Sequence, residues 1–388
     1  NNFYTNAAKG ELIFTKNAKK GFFKNTTTWN GFWNDNQGNS AIRYDLQVPN
    51  PALKDITLDA DLNSPTGIFT NSLSTIIPWK DKLVNFMSYI SYRKDRQRLS
   101  ATNENFFDLD DQFDPNSPSG KHYDRLDQNI SLKTLTLNHS ASAGFSYKKW
   151  TFTPEIGLNL SFNDMNSQLY GDQTLLNTDF QNRLKWNEIN PYTQIMFNYK
   201  GSALNLNVTL PLNYYGMDYK DLLRNKNTEI AKTVFEPNLW GSLDFASFFK
   251  IWTFAGLNYS FGDFGSVYDG KILLNPKSIN FRDSQILPEN RSINSNTRLE
   301  YRNPLNNLFF NVRYGYSTTN RNIITKSRPF LSGASSVSLE YVDNDVYSQN
   351  EGAEIGKYFP KFKTNASVSF TNRDSNSNRI LVDANNVE

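Results

Sequence analysis

The chain has 388 residues and a formal net charge of +3, enough for two or three ordinary domains or one large β-structure, and too little positive charge for a nucleic-acid footprint. Aromatics reach 14% against 20% charged residues, and about fifty residues are Asn, a composition that disfavours disorder, coiled coil and α-bundle alike. Cysteine is absent and histidine occurs only at 122 and 139, which excludes disulfides, iron–sulfur clusters and cysteine nucleophiles and leaves too few imidazoles for a His-rich zinc or iron centre.

No run of 18 apolar residues exists, so no transmembrane helix is expected. Residue 1 is Asn and no signal peptide is visible, so the chain is expected to be cut at both ends.

Taken in chain order, tight turns are expected near Asn17–Lys20, Pro78–Lys82, Lys148-Lys149, Lys200–Ala203, Phe248–Lys250, Pro304-Leu305 and Gly356–Lys361, which makes about seven hairpins and about fourteen strands. Long polar connections over 34–65, 93–129, 163–190, 215–234 and 262–295 alternate with those turns. One end of the structure should therefore carry tight turns and the other long loops, as outer-membrane barrels do.

Period-two alternation is the strongest signal. Trp150, Phe152, Pro154, Ile156, Leu158, Leu160 and Phe162 occupy the even positions of one segment, and Thr151, Thr153, Glu155, Gly157, Asn159 and Ser161 the odd ones. The same pattern runs through Leu204 to Tyr214, Leu308 to Tyr316 and Phe362 to Phe370. Successive side chains in a strand leave opposite faces, so each segment has one apolar and one polar wall.

Soluble sheets alternate too, but their strands are usually about 5–6 residues long, whereas the pattern here persists for 11 to 13. At about 3.3 Å per residue and a tilt near 45°, Trp150 to Phe162 rises about 28 Å, the height of a bilayer's hydrocarbon layer. Register supports the pairing. A two-residue turn at Lys148-Lys149 sets Tyr147 opposite Trp150, and the turn at Pro304-Leu305 sets Tyr301 opposite Leu308, each keeping both stripes on one face. The expected fold is all-β: an antiparallel up-and-down transmembrane β-barrel, one architectural unit over 1–388.

Candidate sites are few. The loop Asp108-Leu109-Asp110-Asp111-Gln112-Phe113-Asp114 gathers Asp108, Asp110, Asp111 and Asp114, hard oxygen ligands that suit calcium, although the spacing is not that of an EF-hand and a solvated acidic loop accounts for it equally. Trp33, Phe106, Phe107 and Tyr170 are expected in loops, where they could stack on a ligand or pack loop on loop. His139 shares the apolar parity and is expected to face outward near a rim, while His122 is expected on a loop surface. Lysines recur at the tight turns, among them Lys148 and Lys149, where headgroup contact and plain solvation are both open readings. No G-x-S-x-G, H-E-x-x-H or P-loop is present, and no nucleophile stands beside a base, so an enzyme is not expected.

Several stretches resemble a known family. They are Gly10-Glu11-Leu12-Ile13-Phe14-Thr15-Lys16-Asn17, the segments 71–93 and 235–262, and above all 299–322 (LEYRNPLNNLFFNVRYGYSTTNRN). In strand spacing, turn placement and aromatic–Asn texture they are similar to the barrel region of TonB-dependent outer-membrane receptors, of the Bacteroidota SusC-like or carboxypeptidase-regulatory-domain type. That resemblance implies part of a 22-strand barrel, with about eight strands and an N-terminal plug outside this chain. It also implies TonB-dependent uptake of a small-molecule, glycan or peptide ligand captured by extracellular loops, a bilayer around the wall, and in some members a surface lipoprotein as partner. No cofactor is expected, apart from the calcium ion that the acidic loop at 108–114 could hold. A passive porin-like channel and a soluble or surface-anchored adhesin are the competing readings.

Overall fold

A computed structural model of the chain describes residues 2–18, 21–42, 56–79, 82–108, 122–262, 268–275, 278–280, 287–329 and 335–381. The first half contains β1 (Asn2–Ala18), β2 (Gly21–Ile42), β3 (Ile56–Trp79), β4 (Lys82–Asp108), β5 (His122–Ala143), β6 (Phe145–Tyr147), β7 (Trp150–Gly171), β8 (Thr174–Leu175), β9 (Gln181–Lys200) and β10 (Leu204–Asp221). The second half contains β11 (Lys226–Phe235), β12 (Asn238–Phe245), β13 (Phe249–Phe261), β14 (Ile272–Asn275), β15 (Ser278–Asn280), β16 (Glu289–Asn303), β17 (Leu308–Pro329), β18 (Ser335–Phe359), β19 (Thr364–Asn376) and β20 (Arg379–Leu381). A single 3-10 turn at Thr178–Phe180 is the one helical element among the described residues.

With β5 continued by β6 and β11 by β12, these strands make fourteen long ribbons. Each ribbon pairs antiparallel with its neighbours in sequence, from β1 with β2 through to β18 with β19. This is the up-and-down meander expected from the alternation, and β1 and β19 are its two edges. Short parallel contacts of β15 with β18 and of β20 with β17 are added where the long connections lie.

All of these strands belong to one sheet, and among the described residues no second sheet covers the apolar stripes. Ile156 is 65% exposed, Val368 73% and Phe370 62%. The clusters of buried side chains lie away from the stripes, in the upper parts of β4, β5, β7, β9 and β10 nearest the long connections. A sandwich would have sealed the stripes between two layers.

The turn at Lys148-Lys149 is as expected: Tyr147 opposes Trp150, with Lys148 at φ 55. At Pro304 the register differs by two residues from the expected one. Asn303 opposes Leu308 and Tyr301 opposes Phe310, because the turn takes four residues. Asn303 Oδ1 accepts the Leu305 amide at 2.9 Å, Asn306 Oδ1 accepts the Leu308 amide at 3.0 Å, and Asn307 supplies the positive φ. An offset of two preserves parity, so the stripe stays on its face. Two other turns, the fifth and the seventh, move for the same kind of reason, to residues 246–248 with Ala246 and Ser247 at positive φ, and to 360–363 with Lys363 at positive φ.

The long connections are shorter than expected. β2 runs on to Ile42, β3 begins at Ile56, β4 reaches Asp108, and only residues 222–225 separate β10 from β11. Alternation stops at the end of the apolar stripe, but Asn, Asp, Ser and Thr on both faces still complete the hydrogen-bonded ladder. The 22 residues of β7 rise about 49 Å at the same tilt, about 20 Å beyond a bilayer.

Candidate functional site

The register assigns every long strand's side chains to two faces. On one face a continuous row runs Thr75, Phe86, Ala141, Ile156, Thr193, Leu212, Phe235. The far half contributes Leu243, Ile251, Leu299, Val312, Ala353, Phe370. Such a span of exposed apolar surface is far larger than the few hundred Å² a soluble monomer shows.

At the tight-turn rim this apolar face carries linked aromatic rings. Trp150 lies 4.9 Å from Tyr199, Phe249 lies 4.8 Å from Tyr301, and Tyr301 is stacked on Phe310 at 5.4 Å. Lys82 sits over Phe145 at 5.2 Å and Lys148 over Tyr147 at 5.3 Å. Rings with a cation above them suit a boundary between hydrocarbon and charged headgroups. The turn lysines therefore have ring partners as well as solvent.

The opposite face is polar. One row reads Tyr89, Asn138, Asn159, Asn190, and another Trp252, Arg298, Arg313, Gly352, Thr371. Asparagines bridge neighbouring strands: Asn159 Nδ2 donates to Asn190 Oδ1 at 3.0 Å, Asn207 Nδ2 to Asn198 Oδ1 at 2.6 Å, and Asn294 Nδ2 to Asn258 Oδ1 at 2.9 Å. A carboxamide carries both a donor and an acceptor, so it can bridge on a wet wall without adding charge. That is a physical reason for the Asn-rich composition. Trp240 and Trp252 also lie on this face, their rings 5.7 Å apart.

Near the long connections the polar face is covered by a strap, residues 268–275. Tyr268, Ile272 and Leu273 pack with Leu287 against Met165, Leu169, Leu184, Trp186, Met217 and Tyr219. Asn182 and Gln128, 0% and 1% exposed, tie its backbone down. Gln128 Oε1 accepts the Leu273 amide at 3.1 Å, and Lys226 Nζ meets Asp269 at 3.0 Å.

On the other face, above the apolar band, Arg125 holds Asp127 with two bonds of 2.9 and 3.0 Å, and Arg98 approaches it at 3.6 Å. Burial opposes ionisation of Asp127, but the bonds from Arg125 and Ser100 and the charges of Arg125 and Arg98 outweigh it, holding the carboxyl below the ordinary value. Asp61 goes the other way. Burial first, then the hydrogen bond and charge of Asp35, push its carboxyl up against the pull of Arg98 and Arg125.

Two of the aromatics expected in loops stand on strands. Trp33 is in β2 on the apolar-side face, 6.4 Å from Trp29, and Tyr170 is in β7 with its hydroxyl donating to Gln168 Oε1 at 3.1 Å. The backbones of Phe106, Phe107 and Asp108 belong to β4, with Phe107 opposite Tyr123 and Asp108 opposite His122; their side chains, and all of Asp110, Asp111 and Asp114, lie outside the described residues. His122 opens β5 rather than sitting in a loop. His139 faces the apolar side as expected, but between Ser88 and Leu158, in the middle of the stripe and not at its rim. The strap escaped the sequence reading, although the apolar run Ile272-Leu273-Leu274 inside a polar connection was its signal. Among the described residues no group of three His, Asp or Glu side chains could hold a metal ion.

No protein-family model matches the sequence, and no curated protein matches it. Solved structures of similar shape do. The chain is similar to the copper transporter OprC, with TM-score 0.49 and 12% identity over 95% of this chain and 60% of that one. It is similar to the pyoverdine outer membrane receptor FpvA from Pseudomonas aeruginosa PAO1, with TM-score 0.45 and 9% identity over 96% and 60% of the two chains. It is also similar to the ferric-catecholate import receptor Fiu from E. coli K12, with TM-score 0.45 and 8% identity over 96% and 64%. The chain thus spans less than two thirds of the length of each.

Proposed function

We propose that this chain is wall from an outer-membrane receptor barrel: its apolar face meets lipid, its polar face lines a water-filled path, and its loop end captures the ligand that enters. The observation that carries this is the register-aligned apolar face, exposed across fourteen ribbons and backed by an Asn-rich polar face on the same sheet. Lipid accepts the ribbons between the two edges because their backbone groups are paired within the sheet, and the edge strands β1 and β19 need partners from outside this chain. The strap over the polar wall favours a receptor, which admits a bound ligand, over an open porin-like channel. On the resemblance of 299–322 and the related stretches, the receptor is of the TonB-dependent, SusC-like type, with plug and TonB contact supplied from outside this chain.

The test is depth-resolved fluorescence in vesicles containing brominated acyl chains. A variant keeping only Trp150, on the apolar face, is expected to be strongly quenched, and one keeping only Trp240, on the polar face, to be spared. Equal quenching of the two, or a chain that stays in solution without detergent, overturns the reading. Steady single-channel conductance from the whole protein would replace the receptor by a passive channel.

A further inference from the structure

On the polar wall, Arg298 of β16 and Arg313 of β17 stand directly opposite each other in the antiparallel register. Cross-strand partners have Cβ atoms about 4.5–5.5 Å apart, and like charges so placed repel. A carboxylate between them would cancel the repulsion, but carboxylates here are scarce. Glu300 reaches Arg298 at 3.5 Å through Oε2, while its Oε1 is engaged by Arg302. Glu354, two residues along from the Gly352 that faces Arg313, is taken by Asn311 Nδ2 at 2.8 Å.

Arg313 itself has no carboxylate at ion-pair distance among the described residues, and its Nη2 donates to Thr371 Oγ1 at 3.2 Å. Gly352 leaves room for it. A Cβ at that position would stand 2.4 Å from Arg313 Nε, so glycine is what allows the guanidinium to lie against the β18 backbone. Both heads remain open to water, the Arg298 side chain at 46% exposure and Arg313 likewise exposed.

We propose that Arg298 and Arg313 form an anion-binding site that takes a phosphate or carboxylate group of a soluble ligand. Planar guanidinium forks match the paired oxygens of such groups, and an anion bridging both turns their repulsion into a shared attraction. The ligand is soluble because a bilayer would cover the other side of the sheet. The site thus adds a ligand class to the path described under the proposed function, and rests on that reading for its access from water.

The test titrates the full chain, purified in detergent micelles, with inorganic phosphate at constant ionic strength, read by calorimetry. Arg298→Gln and Arg313→Gln are each expected to weaken phosphate binding about tenfold. Arg93→Gln, on the same wall but paired with Asp95 at 2.6 Å, is expected to leave it unchanged. Without phosphate, either of the first two variants relieves the repulsion and is expected to unfold at a higher denaturant concentration than the parent, which also shows that it folds. Phosphate affinity equal to the parent's in both variants overturns the site. A chain that binds phosphate through both arginines but needs no detergent keeps the site and loses the membrane reading. One that needs detergent and binds phosphate without regard to either arginine does the reverse.

Discussion

The Asn182 carboxamide holds the backbone of Gly270 by two hydrogen bonds, Nδ2 donating to the Gly270 carbonyl at 3.0 Å and Oδ1 accepting the Gly270 amide at 2.8 Å. Both partners are buried, and Asn182 Nδ2 also donates to Ser167 Oγ at 2.8 Å. A side chain on Gly270 would stand 2.3 Å from the Gln181 carbonyl oxygen, so the close approach depends on glycine. Asn182→Leu fills a similar volume and leaves two buried backbone groups unpaired, at a cost of about 3 kcal/mol to the strap. Hydrogen exchange at the Gly270 amide is expected to speed up about a hundredfold while amides of β7 keep their protection. Unchanged exchange would mean that apolar burial alone holds the strap.

Ile156 and Asn159 lie three residues apart on one strand and on opposite faces. If lipid bathes the Ile156 side, Ile156→Arg places a charge near the middle of the hydrocarbon and costs about 2–4 kcal/mol. Asn159→Arg, on the wet side, escapes that penalty and is expected to cost about 1 kcal/mol, for the lost hydrogen bond to Asn190. Equilibrium urea unfolding in lipid vesicles measures both. Equal costs, or a larger one at 159, would reverse the assignment of faces.

The fold was legible because its signal is periodic and local. Parity needs no distant information, so Trp150 to Phe162 could be assigned to one wall from sequence, and an error of two residues at Asn303–Leu308 did no harm. Turn lengths were less legible, since they depend on which residue takes a positive φ, as Asn307 and Lys363 do. The strap is a contact between segments far apart in sequence, whereas the Arg298–Arg313 pair lies within one hairpin and depends on the two-residue register offset that the four-residue turn sets. Gln128 and Leu273 meet across 145 residues, and nothing in either neighbourhood names the other. Trp33 and Tyr170 stand on strands rather than in loops because the backbone ladder continues past the end of the alternation.

Asp127 predicts an acid-side loss of stability. Its folded carboxyl sits below the ordinary value, so the stabilisation is fully present above the unfolded pKa of about 3.9 and disappears as pH falls through the folded one. Asp127→Asn is expected to flatten that part of the stability–pH curve and to cost about 2 kcal/mol at neutral pH, where the 9% exposed carboxylate holds Arg125. Asp61 has the opposite sign. Its carboxyl is raised, so its relative stabilisation is present below the unfolded pKa and lost as pH rises through the folded one; Asp61→Asn should therefore raise stability at neutral pH. Melting curves from pH 3 to 8 for both variants check the two slopes, and parallel slopes would refute the assignment.

Gly157 and Tyr192 face each other on the polar wall, and a Cβ at 157 would stand 2.3 Å from Tyr192 Cζ. The phenol crosses the glycine to donate a hydrogen bond to Glu155 Oε1 at 2.7 Å. Only glycine leaves that track open, so Gly157→Ala should swing the ring away and break the bond, costing about 1–2 kcal/mol as a hydrogen bond to a charged group. Tyr192→Phe loses the same bond by a different route. The two changes therefore share one consequence, and the double variant is expected to cost about 1 kcal/mol less than the sum of the singles. Full additivity in a denaturant-unfolding cycle would show that the glycine serves something other than this tyrosine.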